Sequence, residues 1–422
     1  MRGQQRGQKW FEAVKNLEGL MEHIAVRAKS PGERYFYIYY TRYFQKVIKA
    51  VEEGKEIAAH STFIPPEIFY AMDIVPILLV SSCGAMTTNL KNYQEALDSC
   101  QKHGICAETC STHRIQMAHF LEGWFPEPKL IAHMGGQGCD AFCNSGHVSA
   151  EIYGCPDFYV DVPNVETENG VKYLTEEFKD LVSFVEDVVK RKMDWDRLKE
   201  ILTVTVEMTN LWREIGELRK MVPSPMESKR AWQIYWMYWI YTGSQEGLEW
   251  FRIVRDELRE KVAKGEGAIP NERFRLLDLF MPPQYSFQLL DWMGKEFGAI
   301  FVNETLISRW GDGELDPSKP LEALVKRHFI APVIPYALRP GRDLLSLTVK
   351  QAKAYKAHGA VFWAQNACRQ TGMIGPLKDA LREEADIPTL IIDCDVMDPS
   401  FVTVEEMKQR LKSFFEMLES RN

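Results

Sequence analysis

At 422 residues the chain exceeds what one hydrophobic core ordinarily holds, so its length predicts two or three domains. Hydrophobic residues make up 45% and charged residues 26%, the balance of a globular protein rather than a disordered one. Lys and Arg total 51 against 59 Asp and Glu, a net charge of −8 with no long basic run, which argues against nucleic acid as a partner.

Met1–Arg6 is basic, yet polar residues follow where a signal peptide needs an apolar core. The longest apolar stretch, Ile74–Val80, is interrupted by Pro76 and is too short to span a bilayer. A cytoplasmic protein with no membrane partner is therefore expected. Its nine cysteines then sit in a reducing compartment, and their odd number argues against a fully paired disulfide framework.

Residues 1–58 read as a helical N-terminal region, because Phe11, Val14, Leu17, Leu20 and Met21 recur at helical spacing and a second run extends from Ile38 to Val51. Residues 59–172 read as a first α/β domain. Pro65-Pro66-Glu67 breaks the preceding helix, Pro76–Ser81 reads as a buried parallel strand with Cys83 just beyond it, and Lys129–Met134 and Phe158–Pro163 read as further strands. Residues 173–268 read as a helical insertion. Its helices are expected around Leu181–Val189, over Leu198–Val222, and over Met226–Tyr241, whose aromatic stripe reads as core or subunit interface.

Residues 269–422 read as a second α/β domain, with strands at Phe274–Phe280, Ala299–Val302, Ala360–Gln365 and Thr389–Asp393 and helices at Tyr285–Gly298, Leu377–Glu384 and Val404–Leu418. Alternating strands and helices imply open parallel sheets, whose ligands gather beyond the strands' carboxyl ends. Cys83, Cys139 and Cys368 all follow predicted strands, and two sheets facing each other would bring Cys368 to Cys106 and Cys139.

The chemistry is concentrated in two Cys-x-x-x-Cys pairs, Cys106/Cys110 and Cys139/Cys143, offset from one another by 33 positions. Intracellular thiols in such an arrangement read as metal ligands, and soft thiolates select iron–sulfur clusters, Zn or Cu(I). Spacing alone leaves structural zinc, or a metal-free role, open. The closely spaced run of a bacterial ferredoxin is absent from the sequence. Gly135, Gly136 and Gly138 precede Cys139 as backbone N–H donors to cluster sulfur or as a tight turn. No Gly-x-x-x-x-Gly-Lys-Ser/Thr loop occurs, so ATP hydrolysis would require a separate protein.

The order Phe63-Ile64-Pro65-Pro66-Glu67, Cys106, Cys139-Asp140, Ala360–Cys368, then Ile387–Asp395 with Asp398-Pro399 resembles the 2-hydroxyacyl-CoA dehydratase and benzoyl-CoA reductase family from about residue 55 onward. The resemblance implies an oxygen-sensitive, anaerobic iron–sulfur enzyme of two Rossmann-like parallel-sheet domains, supplied with electrons by an ATP-hydrolysing [4Fe-4S] activator. The counterparts of the dehydratase subunits' three cluster cysteines are Cys106, Cys139 and Cys368. Cys110, Cys143 and Cys83 exceed that pattern, and six thiolates are similar to the double-cubane cluster proteins of the family. The expected function is thus reduction of a small unsaturated substrate at a double-cubane [8Fe-9S] cluster, by a homodimer served by its activator. The alternative is a single-[4Fe-4S] subunit of a 2-hydroxyacyl-CoA dehydratase, which is a lyase, or of a benzoyl-CoA reductase. A zinc-stabilised binding protein and a cluster-assembly scaffold are the rivals from other classes.

For proton transfer, His60, Glu67 and His147 are the candidate catalytic groups, with His113 and His133 also flanking the cysteines. The plainer readings are structural histidines and, for Glu67, a carboxylate that complements a helix start. Cys100, Cys155 and Cys394 read as packed thiols.

Overall fold

The structure, a computed structural model, describes residues 6–135, 139–163, 166–307, 313–330 and 341–421. Short apolar strands alternate with amphipathic helices, and the outcome is the α/β architecture that the sequence implies, with two sheets of four parallel strands each. By internal packing the chain divides into two units. One gathers segments 1–209, 236–251 and 312–329, and the other 210–235, 252–311 and 330–422.

In the first unit, helices α1 (Gln8–Val26) and α2 (Pro31–Glu52) precede the sheet. Ser30 starts α2 by accepting the Glu33 amide at 3.3 Å, and Pro31 occupies its first turn. There follow β1 (Ile57–His60), α3 (Pro66–Ala71), β2 (Val75–Leu78), α4 (Leu79–Leu90), α5 (Tyr93–Lys102), α6 (Ser111–Leu121), β3 (Leu130–Gly135), α7 (Asp140–Tyr153), β4 (Asp157–Asp161) and α8 (Glu168–Val189). The strand order is β2-β1-β3-β4, all parallel. Strand β1 falls outside the sequence expectation, although it is buried throughout and pairs with both β2 and β3. The strand expected over Pro76–Ser81 stops at Leu78, and Leu79 already begins α4. A continuous apolar run fits a buried strand and a buried helix equally well.

Helices α9 (Trp195–Leu218), α10 (Ser228–Ile240) and α11 (Gln245–Lys264) follow. Asp194 accepts the Arg197 amide at 2.9 Å and so starts α9 three residues before the expected Leu198. On α10, Trp232, Tyr238 and Trp239 are buried within the chain, which places that part of the aromatic stripe in the core.

The second sheet comprises β5 (Phe274–Asp278), β6 (Ala299–Glu304), β7 (Gly359–Gln365) and β8 (Thr389–Cys394), ordered β6-β5-β7-β8 and again parallel. Its neighbours in the chain are α12 (Gln288–Phe297), α13 (Pro320–Ile330), α14 (Gly341–Ala354), α15 (Ile374–Ala385) and α16 (Val404–Arg421). Phe415 of α16 stacks on Phe274 at 5.6 Å and on Phe297 at 4.7 Å, sealing one face of that sheet. Arg219 is buried there too, and binds both carboxylate oxygens of Glu304 at 2.5 and 2.7 Å. Among the described residues no helix is long and apolar enough to cross a membrane.

Candidate functional site

Both sheets share one connectivity, in which the first strand is flanked by the second on one side and the third on the other. Ligands in such sheets gather past the carboxyl ends where the order reverses, here between β1 and β3 and between β5 and β7. Strand β3 ends at Gly135, and Cys139 stands at the start of α7. The intervening Gly136, Gln137 and Gly138, which include two of the expected N–H donors, lie outside the described residues. Strand β7 ends at Gln365, and Cys368 follows through Ala367, whose φ of 59° is left-handed. Cys139 and Cys368 therefore hold equivalent positions, each past the third strand of its own sheet.

In the first unit Cys106, Cys110 and Cys143 stand on segments that adjoin Cys139. Cys110 caps α6 as Cys139 caps α7, and the two helices pack together at these ends. His113, in the first turn of α6, joins them: its Nδ1 lies 2.8 Å from Ser145 Oγ of α7 and its Nε2 lies 3.6 Å from Cys139 Sγ. Phe142 packs edge-on to His113 at 4.7 Å and to Phe63, from the loop after β1, at 5.4 Å. Cys106 is exposed, in a turn closed by the Thr109 amide on its carbonyl at 3.2 Å. Cys143 lies one turn into α7. A Cβ on Gly135 would stand 2.7 Å from that of Cys143, so the absent side chain lets α7 close on the end of β3. Cys110 and Cys139 each stand at a helix N-cap position, where the macrodipole favours negative charge.

Cys83, Cys100 and Cys394 are buried, whereas Cys155 and Cys368 are as partly covered as Cys110, Cys139 and Cys143. Cys83 sits inside α4, fully buried, and burial pushes its pKa well up. Cys100 is pushed up to about 11 by burial and lies 2.8 Å from the Arg114 carbonyl. Cys394 is buried beside Asp395 and Asp393, and burial together with both carboxylates raises its pKa. None of the nine cysteines is in a disulfide.

The proton-transfer candidates occupy three unlike settings. His60 is buried with Nδ1 2.9 Å from the Ser61 carbonyl, and burial pulls its pKa down to about 4. Glu67 is fully buried in the first turn of α3. The Arg327 guanidinium binds both of its oxygens, and the Thr205 hydroxyl donates to Oε1 at 3.1 Å. His147 is exposed on α7, and its hydrogen bond to Asp157 raises its pKa. His133 reaches the same Asp157 oxygen. Sequence reasoning missed Asp157 and Arg327, since each partner lies on an element remote in the sequence or opens a strand with no motif around it.

A family model for the 2-hydroxyglutaryl-CoA dehydratase D-component matches residues 61–418. The chain is similar to the (R)-phenyllactyl-CoA dehydratase alpha subunit of Clostridium sporogenes, 19% identical over 389 residues that cover 88% of this chain and 91% of that one. It is also similar to one of the subunits of benzoyl-CoA reductase from Thauera aromatica, 22% identical over 315 residues (70% and 72%). The alpha subunit of lactoyl-CoA dehydratase from Anaerotignum propionicum is 21% identical over 411 residues (89% and 94%).

Proposed function

Because the chain belongs to the 2-hydroxyglutaryl-CoA dehydratase D-component family, we propose that it is an iron–sulfur oxidoreductase that takes low-potential electrons from an ATP-hydrolysing [4Fe-4S] activator protein and reduces a small unsaturated substrate. The observation that carries this reading is the placing of Cys110 and Cys139 at two adjoining helix N-termini past the end of β3, with Cys106 four residues before the first and Cys143 one turn after the second. Soft sulfur donors with at least partial solvent access fit an iron–sulfur cluster. Cys83, Cys106, Cys110, Cys139, Cys143 and Cys368 are the proposed ligands of a double-cubane [8Fe-9S] cluster, which supplies multi-electron storage at low potential. The helix N-termini offset thiolate charge, and Phe63 and Phe142 limit water beside His113. With no phosphate loop in the sequence, ATP hydrolysis belongs to a separate activator, and the enzyme works as a cytoplasmic homodimer.

A second reading, a single-[4Fe-4S] subunit of a dehydratase or aromatic reductase, draws support from Cys83, whose complete burial suits a protonated core thiol. Iron and acid-labile sulfide measured on protein purified without oxygen separate the two. About eight irons per chain are expected for the first and about four for the second. Cys139→Ser is expected to lose most of the iron and Cys394→Ser to keep it. Iron unaffected by Cys139→Ser, or an iron-free native protein, would end the proposal.

A further inference from the structure

One turn along α7 from Cys143, two elements of the first unit bring side chains to a single carboxylate oxygen held by a third. His133, from the middle of β3, places Nε2 2.7 Å from Asp157 Oδ2. His147, from α7, places Nδ1 3.0 Å from that same oxygen. The donor atoms of all three residues lie within 4.8 Å of one another. Access is graded, with side-chain exposures of 2% for His133, 21% for Asp157 and 58% for His147, so the group has a dry floor and an open mouth. Among the described residues His133 Nδ1 has no hydrogen-bond partner, which leaves Nε2 as the nitrogen through which this ring meets polar groups.

The close fit of the ring depends on a glycine. A Cβ on Gly146 would stand 2.6 Å from His133 Cγ, so only the bare backbone of α7 admits the imidazole at this depth, beside the turn that bears His147.

We infer that His133, His147 and Asp157 form a divalent transition-metal site, best suited to zinc, with a solvent molecule as fourth ligand at the open side. Two imidazole nitrogens and one carboxylate oxygen are the borderline-soft set that zinc takes, and three protein ligands with one open position is a common zinc arrangement. Tetrahedral bonds of about 2.0–2.1 Å need donor atoms roughly 3.3 Å apart, so the two contacts to Asp157 open by roughly half an ångström while the two imidazole nitrogens, which lie within 4.8 Å of one another, adjust to the same separation. The ion ties α7 to β3 and β4. It sits one turn beyond Cys143 on the same face of α7, and its assignment does not rest on the cluster.

The test uses full-length protein purified without oxygen, its iron retained, and dialysed against micromolar zinc chloride. About one zinc per chain is expected by mass spectrometry, with nitrogen and oxygen but no sulfur neighbours in zinc K-edge absorption. His147→Ala removes an exposed side chain, and circular dichroism checks that its fold is unchanged. It is expected to weaken zinc binding at least about tenfold, since loss of mere supporting contacts at metal sites already costs 10–100-fold. Asp157→Asn is expected to act alike, and Cys155→Ser to change nothing. Zinc bound equally by wild type and His147→Ala, a sulfur shell, or no bound zinc would overturn the site. Iron read on the same samples tells failure of this site apart from failure of the thiolate cluster.

Discussion

His119 shows how one buried side chain writes a pH dependence into the fold. The Trp10 indole N–H donates to His119 Nδ1 at 2.9 Å, so the ring's proton is on Nε2, which faces Thr87 Oγ1 at 2.9 Å. Burial, helped by the nearby Lys9, holds the pKa at about 3. The folded ring stays neutral where the unfolded one, with a pKa near 6.5, takes up a proton. Its contribution to stability is therefore complete above about pH 6.5 and is lost as pH falls from there toward 3, by at most ~1.4 kcal/mol per pH unit. His60, lowered to about 4, and His328, lowered to about 3, act in the same direction. In His119→Gln the urea midpoint is expected to fall less steeply between pH 6.5 and 5 than in wild type, and an unchanged slope would refute the assignment. At this scale the sequence exposes the cysteines, because their spacing is a pattern. It hides Asp157, Trp10 and Arg327, because their partners are brought to them only by the fold.

Among the elements, α13 is fastened to α3 by the ion pair between Arg327 and Glu67, both buried. A helix-start carboxylate is one expectation for Glu67, and it does lie in the first turn of α3. Its guanidinium partner adds a much larger consequence. Arg327→Met strands a buried carboxylate and is expected to cost about 3–5 kcal/mol in urea unfolding. The double variant Glu67→Gln with Arg327→Met is expected to recover most of that, because no charge is left in the core. Equal losses in single and double variants would show that packing, not charge, decides the site. Strands β3, β5, β7 and β8 are legible as apolar runs bounded by turns or polar segments, whereas β1 is only Ile-Ala-Ala-His. Four residues with two alanines carry no periodicity, and it is pairing on both sides that makes them a strand.

For the molecule as a whole, each unit has its own parallel sheet and its own buried aromatic residues, such as Phe69 and Phe120 in the first and Trp363 in the second. Neither core is built from the cysteine loops, so stripping iron by chelation is expected to leave the helical far-UV dichroism intact. Collapse of that signal would show that the metal is needed to fold. The first unit is also interrupted: its last segment, 312–329, arrives only after a long stretch assigned to the other. Glu67 and Arg327 are 260 positions apart. At translation rates of about 5–20 residues per second, a nascent chain carries that carboxylate for roughly 10 to 50 s before its cation is made. The first unit cannot close while it is being synthesised, and holdase chaperones have that interval in which to engage it.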